Sequence, residues 1–268
     1  RSRNVRLSAD VGYQNDKLRA PRPSVTPGAD FIPAVPDSKT NYAQPWTYSN
    51  AKDVFATARA EWDVNDQITA WAAAGMRRGK EGNSLANPTV VNRAGDATTG
   101  RFDNQREDDV STSELGLRAR FATAGVQHQL VASASWFRHE ERNAWAMLWA
   151  GPTVPTNIYN PWGSARPGTD WGGGNLSSPL RTQEDRTHSI TLADTLSFYD
   201  ERVRLTLGLR HQSIEQNSYS NATGAPTGSY KKSATTPVVG LVFKASKELS
   251  LYGNYIEGLV KGDTAPQV

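Results

Sequence analysis

Four histidines are the side chains best suited to acid–base or metal chemistry, and the chain has no cysteine that could supply a thiolate. His128, His139, His188 and His211 are scattered, and none has another histidine or a carboxylate at a metal-ligand spacing. His188 and Ser189 are neighbours, so in a strand they point to opposite faces and do not form a hydrolase pair. The sequence therefore predicts neither a metal centre nor a resident cofactor.

Side chains suited to binding are concentrated in residues 143–181, which contain four tryptophans. Aromatic rings offer flat apolar surface and cation–π contacts, and arginine offers paired hydrogen bonds to anions. Long links without a strand pattern are often functional. The alternative is that the rings pack the link against its neighbours, and the sequence leaves both open. The candidate ligand-binding residues are Trp145, Trp149, Tyr159, Trp162, Arg166 and Trp171, with Tyr42 and Trp46 from an earlier link.

The elements that must position these links are β-strands, because apolar side chains recur at every second residue and so share one face. In residues 203–209, for example, Val203, Leu205 and Leu207 alternate with Arg204 and Thr206. About nine stretches follow this pattern, and the alternation is weakest in the last of them. They are residues 5–13, 54–64, 68–76, 115–121, 128–136, 190–198, 203–209, 237–243 and 249–256.

Short and long connections alternate along the chain. Tight turns are predicted at 64–67, 122–125, 199–202 and 246–248, and long links at 16–50, 79–106, 143–181 and 214–232. Aromatic residues such as Trp62, Phe121 and Phe243 lie near the tight turns. Short turns at one end, long loops at the other and an aromatic girdle are typical of an up-and-down membrane barrel. A soluble β-domain, with its apolar faces covered by another protein layer, is the alternative.

Composition excludes other classes of protein. Thirty basic and 27 acidic residues are intermixed, with a formal net charge of +3, so no segment resembles a nucleic-acid-binding arm. Mean hydropathy is −0.61, and no apolar run approaches the roughly 18 to 20 residues of a membrane helix. Arg59, Arg118 and Arg204 lie opposite the apolar positions, so the lumen of the predicted barrel must hold water or a plug.

Four motifs resemble the TonB-dependent siderophore receptors of bacterial outer membranes. They are Thr191-Leu-Ala-Asp-Thr-Leu-Ser-Phe198, Val203-Arg-Leu-Thr-Leu-Gly-Leu-Arg210, Thr236-Pro-Val-Val-Gly-Leu-Val-Phe243 and Leu249-Ser-Leu-Tyr-Gly-Asn-Tyr-Ile-Glu-Gly258. The segment Gly262-Asp-Thr-Ala-Pro266 is similar to the loop that follows in such receptors. The resemblance implies an outer-membrane transporter, not an enzyme. Its partners would be a ferric siderophore, membrane lipid and TonB, and its iron would be cargo.

The family also has an N-terminal plug, a TonB-binding segment and a terminal aromatic strand, and none of these is recognisable in this sequence. About nine strands cannot close a barrel of about 22, and an open edge is not tolerated in lipid. We therefore expect residues 1–268 to be an internal part of one TonB-dependent receptor barrel domain, contacting TonB only through segments absent here. The predicted fold is all-β, an antiparallel up-and-down transmembrane β-barrel wall.

Two other functions remain open at this point. A passive, porin-like channel would have the same wall but no plug in the complete sequence. An outer-membrane hydrolase would need a histidine, a serine and a carboxylate within hydrogen-bond reach of one another.

Overall fold

The computed structural model describes residues 4–262, which form thirteen β-strands. Of the Gly262–Pro266 motif, all but its first residue lies outside the described range. No helix with the length and apolarity of a membrane span occurs within that range. The all-β prediction is confirmed.

Nine long strands form one antiparallel sheet in which each pairs with the next long strand along the chain. This order is what successive hairpins produce, as the alternation of connections predicted. The strands are β1 (Val5–Arg19), β2 (Tyr48–Asp63), β3 (Ile68–Leu85), β6 (Phe102–Thr123), β7 (Val126–Met147), β10 (Arg181–Phe198), β11 (Val203–Tyr219), β12 (Pro226–Lys244) and β13 (Ser250–Ile256). The short strands are β4 (Pro88–Val90), β5 (Asp96–Thr99), β8 (Val154–Asn157) and β9 (Trp171–Gly173).

Apolar residues predicted to share a face are aligned across the strands. Leu192 is opposite Leu209 in the β10–β11 register, and Leu205 is opposite Leu241 in the β11–β12 register. This apolar face is well exposed, with Leu7 and Ile190 at 78% and 65%. Exposed leucine and isoleucine over a whole sheet face indicate a surface that contacts something other than water.

The opposite face carries charge that is mostly paired. Arg59 donates to Glu61 at 2.8 Å, and the guanidinium carbons of Arg59 and Arg118 lie 5.6 and 5.7 Å from the ring centre of Trp71. Trp71 also donates to Glu114 and covers Gly116, where an added Cβ would overlap the indole ring. Tryptophan and charge on this face form a polar, hydrogen-bonded surface of the kind a water-filled lumen requires.

The tight turns have the backbone that two strands with right-handed twist need. Between β6 and β7, Ala124 and Gly125 have φ of 49° and 82°, which is the mirror-image turn favoured in hairpins. The side chain of Asn65 holds the turn after β2 by accepting from the amides of Gln67 and Ile68 at 2.9 and 2.8 Å.

The strands run several residues further than predicted at the end with long links. β12, for example, begins at Pro226, although its apolar alternation begins only at Pro237. Above the apolar band both faces of the sheet contact polar surroundings, so the alternation stops while the backbone ladder continues. The long links are correspondingly shorter than the sequence indicated.

Candidate functional site

The long links fold together at one end of the sheet. β4, β5 and β8 form a small sheet built from two different links, and a backbone bridge from Thr26 to Thr89 attaches the first link to it. We call residues 20–47, 86–101 and 148–170 the outer layer. Its buried core is Val90, Ala97 and Ile158, with Val25, Phe31, Tyr42 and Tyr159 packed around it. The links are therefore one folded unit with its own apolar core.

Gln44 joins the first link to the third. Its side chain is 1% exposed, and its amide oxygen accepts from the backbone amide and hydroxyl of Ser164 at 3.0 and 2.9 Å. Its amide nitrogen donates to the carbonyl of Trp162 at 3.2 Å. A buried amide with its hydrogen bonds satisfied fixes both partners, because breaking the bonds leaves polar groups without water.

Asp103, at the start of β6, anchors the outer layer to the sheet. Its carboxylate accepts from Ser84 at 2.6 Å and from Arg101 at 2.9 Å, and it is 3.3 Å from Arg166. Asp103 is 5% exposed, so the guanidinium groups of Arg101 and Arg166 both neutralise a buried charge. Arg166 is thereby held in the structure of the layer.

Three tryptophans form a cluster at the edge of the outer layer. Trp145 and Trp171 meet edge to face with ring centres 4.8 Å apart, and Trp149 lies 5.1 Å from Trp171. β9 pairs with the end of β7 and brings Trp171 opposite Met147. Edge-to-face and tilted pairs are favourable ring geometries. Trp149 and Trp171 still expose 68% and 51% of their surface, so their outer faces are open to solvent.

Asp170 holds the turn that carries Trp149. Its carboxylate accepts from the backbone amides of Trp149, Ala150 and Gly151 at 2.6, 3.0 and 2.7 Å. These hydrogen bonds, that from Trp149 above all, lower the pKa of Asp170 below its ordinary 3.8. The charged carboxylate is thus the form that fits this turn.

We expect Asp170→Asn to loosen the Trp149 turn, because an amide offers one weaker acceptor where the carboxylate offers two. Since the folded pKa is lowered, the contribution of Asp170 is complete above its ordinary pKa and is lost as pH falls through the folded value. Tryptophan quenching by acrylamide should therefore rise below about pH 4 in the wild type. In Asp170→Asn it should already be high at pH 7. An unchanged quenching profile in the variant would contradict this role.

The eight residues proposed from the sequence fall into two groups. Trp149, Trp162 and Trp171 present exposed rings, at 68%, 48% and 51%. The other five are half-buried or bonded to protein partners. Tyr42 and Tyr159 donate to the carbonyls of Pro23 and Ala34, Trp46 and Trp145 are half-buried, and Arg166 pairs with Asp103.

Sequence reasoning missed Gln44, Arg101, Asp103 and Asp170. Nothing in their immediate neighbours distinguishes them, because their partners are 19 or more residues away in most cases. Among residues 4–262, no group of three or more His, Cys, Asp or Glu side chains is placed to hold a metal ion. Three histidines instead bond to protein partners: His128 to Asp194, His139 to Asp108 and Asp185, and His211 to Thr235.

The chain is similar to one known protein family along almost its whole length. The family model "TonB dependent receptor-like, beta-barrel" matches residues 1–267. The chain belongs to this family. It is accordingly an outer-membrane β-barrel protein, as the motifs and the exposed apolar face indicated.

Relatives support the assignment along nearly the whole chain. The ferrichrome receptor FcuA of Yersinia enterocolitica is 32% identical over 267 residues, which are 99% of this chain and 35% of that protein. The ferric preacinetobactin receptor BauA of Acinetobacter baumannii is 33% identical with a TM-score of 0.84, over 99% of this chain and 39% of that one. The siderophore receptor PiuA of the same organism shares the fold, with a TM-score of 0.73 at 17% identity, over 94% of this chain and 39% of that one.

The chain thus spans between a third and two fifths of the length of these relatives. In membrane barrels the short turns are periplasmic and the long loops extracellular. The outer layer and its exposed tryptophans therefore belong at the extracellular end of this TonB-dependent receptor barrel.

Proposed function

We propose that this chain forms part of the wall and extracellular mouth of a receptor that captures a ferric siderophore. Exposed tryptophan rings on a folded outer layer are the observation that carries the proposal. Such rings cost solubility unless they pack or bind, and Trp149, Trp162 and Trp171 remain between 48% and 68% exposed. The names of the relatives, receptors for ferrichrome and ferric preacinetobactin, agree with this class of ligand.

The outer layer makes these rings useful for binding because it fixes them. Gln44 bonds to the backbone at Trp162, and Asp170 bonds to the backbone at Trp149, so both rings sit on constrained turns. Rings that are already ordered lose little conformational entropy when a ligand binds. A ferric siderophore is a compact chelate with flat aromatic or amide groups, and an indole face suits such groups.

Transport would follow capture. In the proposed cycle, TonB supplies energy through segments outside this chain, a plug moves, and the chelate passes along the polar face of the sheet. Iron is cargo here, so the proposal includes no resident cofactor. No bond is made or broken, so we expect no enzymatic activity. Energy dependence separates this proposal from a passive channel, since uptake through a channel persists when TonB is deleted.

The test uses the complete receptor with Trp149→Ala and Trp162→Ala, each assayed for surface expression and for affinity towards ferrichrome and ferric preacinetobactin. We expect normal expression with roughly tenfold or greater weakening for the cognate ligand, about 1.4 kcal/mol. Trp62→Ala is the matched control, because Trp62 is 53% exposed but lies at the opposite end of the sheet.

Arg166→Ala should behave differently from the tryptophan variants. It removes a partner of the buried Asp103 carboxylate, so lower surface expression is expected before any loss of affinity. Wild-type affinity in both tryptophan variants, for every ferric siderophore tried, would contradict the proposed site.

A further inference from the structure

The apolar, lipid-facing side of the sheet contains a groove of about 920 Å³ that crosses β1, β2, β3 and β6. Its floor is made by small side chains, because Ala9, Ala58, Ala74 and Ser113 are neighbours in the strand registers. Trp136 continues that row and forms a wall where the small residues end. Arg138, Arg186 and His188 line the groove at the same end. The groove is therefore apolar along its length and basic at one end.

The basic end belongs to a cluster of four arginines built on two carboxylates. Glu184 lies 2.9 Å from Arg138, 2.8 Å from Arg186 and 3.5 Å from Arg181. Glu140 pairs with Arg138 at 3.1 Å and with Arg142 at 2.7 Å. The two carboxylates are 3% and 14% exposed, whereas the four arginine side chains are 39% to 51% exposed.

This arrangement leaves positive charge at the surface. Four guanidinium groups and two carboxylates leave two positive charges in the cluster. Two further acids are near: Glu215, opposite Arg186 in the β10–β11 register, pairs with Lys231 at 3.2 Å, and Asp109 pairs with Arg78 at 3.0 Å. Each has a basic partner of its own, so the excess of two positive charges remains. Each guanidinium has five N–H donors, so donors remain after the carboxylates are bonded. Held by buried acids, the guanidinium groups are already oriented for a second anion.

The cluster lies at the level of the lipid headgroups. A tilted strand crosses the hydrocarbon core in about 9 to 11 residues. Arg138 is the thirteenth residue of β7, and Arg186 is the thirteenth from the end of β10, each counted from the short-turn end. Both therefore sit just beyond the hydrocarbon at the extracellular interface, with the alanine floor of the groove beside and below them.

We propose that this groove binds a phosphorylated lipid of the outer leaflet, with its phosphate on Arg138 and Arg186 and an acyl chain along the alanine floor. Arginine binds phosphate through paired, charge-assisted hydrogen bonds, and basic pockets at the membrane surface recognise anionic headgroups. Charge complementarity and depth in the membrane both select this occupant. An uncharged lipid would leave the arginine donors unused, and a soluble anion would leave the groove empty.

The experiment places the complete receptor in phosphatidylcholine nanodiscs with a minor fraction of phosphatidic acid whose acyl chains carry bromine, which quenches nearby tryptophan. Trp136 lines the groove and reports occupancy. We expect quenching well above that given by the same fraction of brominated diacylglycerol, which lacks the phosphate. Arg186→Gln should remove most of this excess, while Lys52→Gln, on β2 and outside both the groove lining and the arginine cluster, should keep it.

A second variant tests the groove without touching charge. Ala74→Leu fills the floor with a side chain that lipid tolerates, and it should reduce the excess quenching while leaving the arginine cluster intact. Equal quenching by the two brominated lipids, or full quenching in Arg186→Gln, would overturn the proposal. So would displacement of the brominated lipid by millimolar inorganic phosphate, because that outcome identifies a site for free phosphate.

Discussion

Leu117→Arg should cost about 2 to 4 kcal/mol of folding free energy when the complete receptor is refolded into lipid vesicles. Leu117 is 53% exposed on the apolar face and is the seventh residue from the short-turn end of β6, near the middle of the about 9 to 11 residues that cross the bilayer. Its neighbours across the strands are Ala70 and Ala132, which offer no counter-charge. An arginine there would have to lose its hydration or distort the bilayer.

Leu18→Arg is the matched control. Leu18 is 56% exposed, almost the same as Leu117, but it lies on the opposite, polar face of the sheet and is the fourteenth residue of β1, so it contacts no hydrocarbon. Its replacement should change the folding free energy by less than about 1 kcal/mol, as expected for sites near or outside the interface. Urea titrations of tryptophan fluorescence in vesicles give both values. Similar costs at the two sites would contradict the assignment of Leu117 to the hydrocarbon-facing surface.

Leu207 is a less informative position for this test, although it lies on the same face. It is directly opposite Asp194 in the β10–β11 register. One carboxylate oxygen of Asp194 bonds to His128 at 2.7 Å, and the other is buried without a hydrogen-bond partner among the described residues. An arginine at position 207 would reach that oxygen, and the resulting ion pair would offset part of the cost.

The sheet could be predicted from sequence because one physical requirement acts on every strand. A strand with lipid on one side and polar surroundings on the other must alternate, as Val203 to Leu209 do. The same requirement predicts the order of the strands, since tight turns such as Ala124-Gly125 allow only hairpins. Above the bilayer this requirement no longer applies, so the alternation does not predict how far each strand extends.

The outer layer could not be predicted in the same way. β4, β5 and β8 have only three or four residues each, too few to show a period. The pairing of β5 with β8 joins residues about 60 positions apart, such as Asp96 and Asn157. Long-range pairing of short strands leaves no local pattern, so the links were expected to lack secondary structure.

The candidate site could be predicted only in part, and the reason is related. Residue type identifies tryptophan and arginine as binding side chains but does not say which partner they meet. Trp149 meets solvent on its outer face, whereas Arg166 meets the buried Asp103. The difference depends on contacts between links that are distant in the sequence. These contacts can be identified only in the folded structure.

Ile158→Ala should unfold the outer layer in part, at a cost of about 2 to 5 kcal/mol. Ile158 is fully buried between Val90 and Ala97, and its loss leaves a cavity in a core of very few residues. A small core has little other apolar contact to compensate, so local opening should become frequent while the long strands stay protected. Hydrogen exchange of the complete receptor should therefore accelerate at residues 88–99 and 154–159 and remain slow in β6, β7 and β10.

Ile32→Ala is the matched control, since Ile32 belongs to the same outer layer but is 83% exposed. Its exchange and its ferric-siderophore affinity should equal those of the wild type. Ile158→Ala should also lower the affinity for the ligand. The reason is that Gln44 and Thr156, whose side chains lie 3.4 Å apart, link the core to the turn of Trp162. Faster exchange with unchanged affinity would separate the two roles and show that the tryptophans bind without the layer that carries them. Unchanged exchange would mean that Ile158 does not hold the layer together.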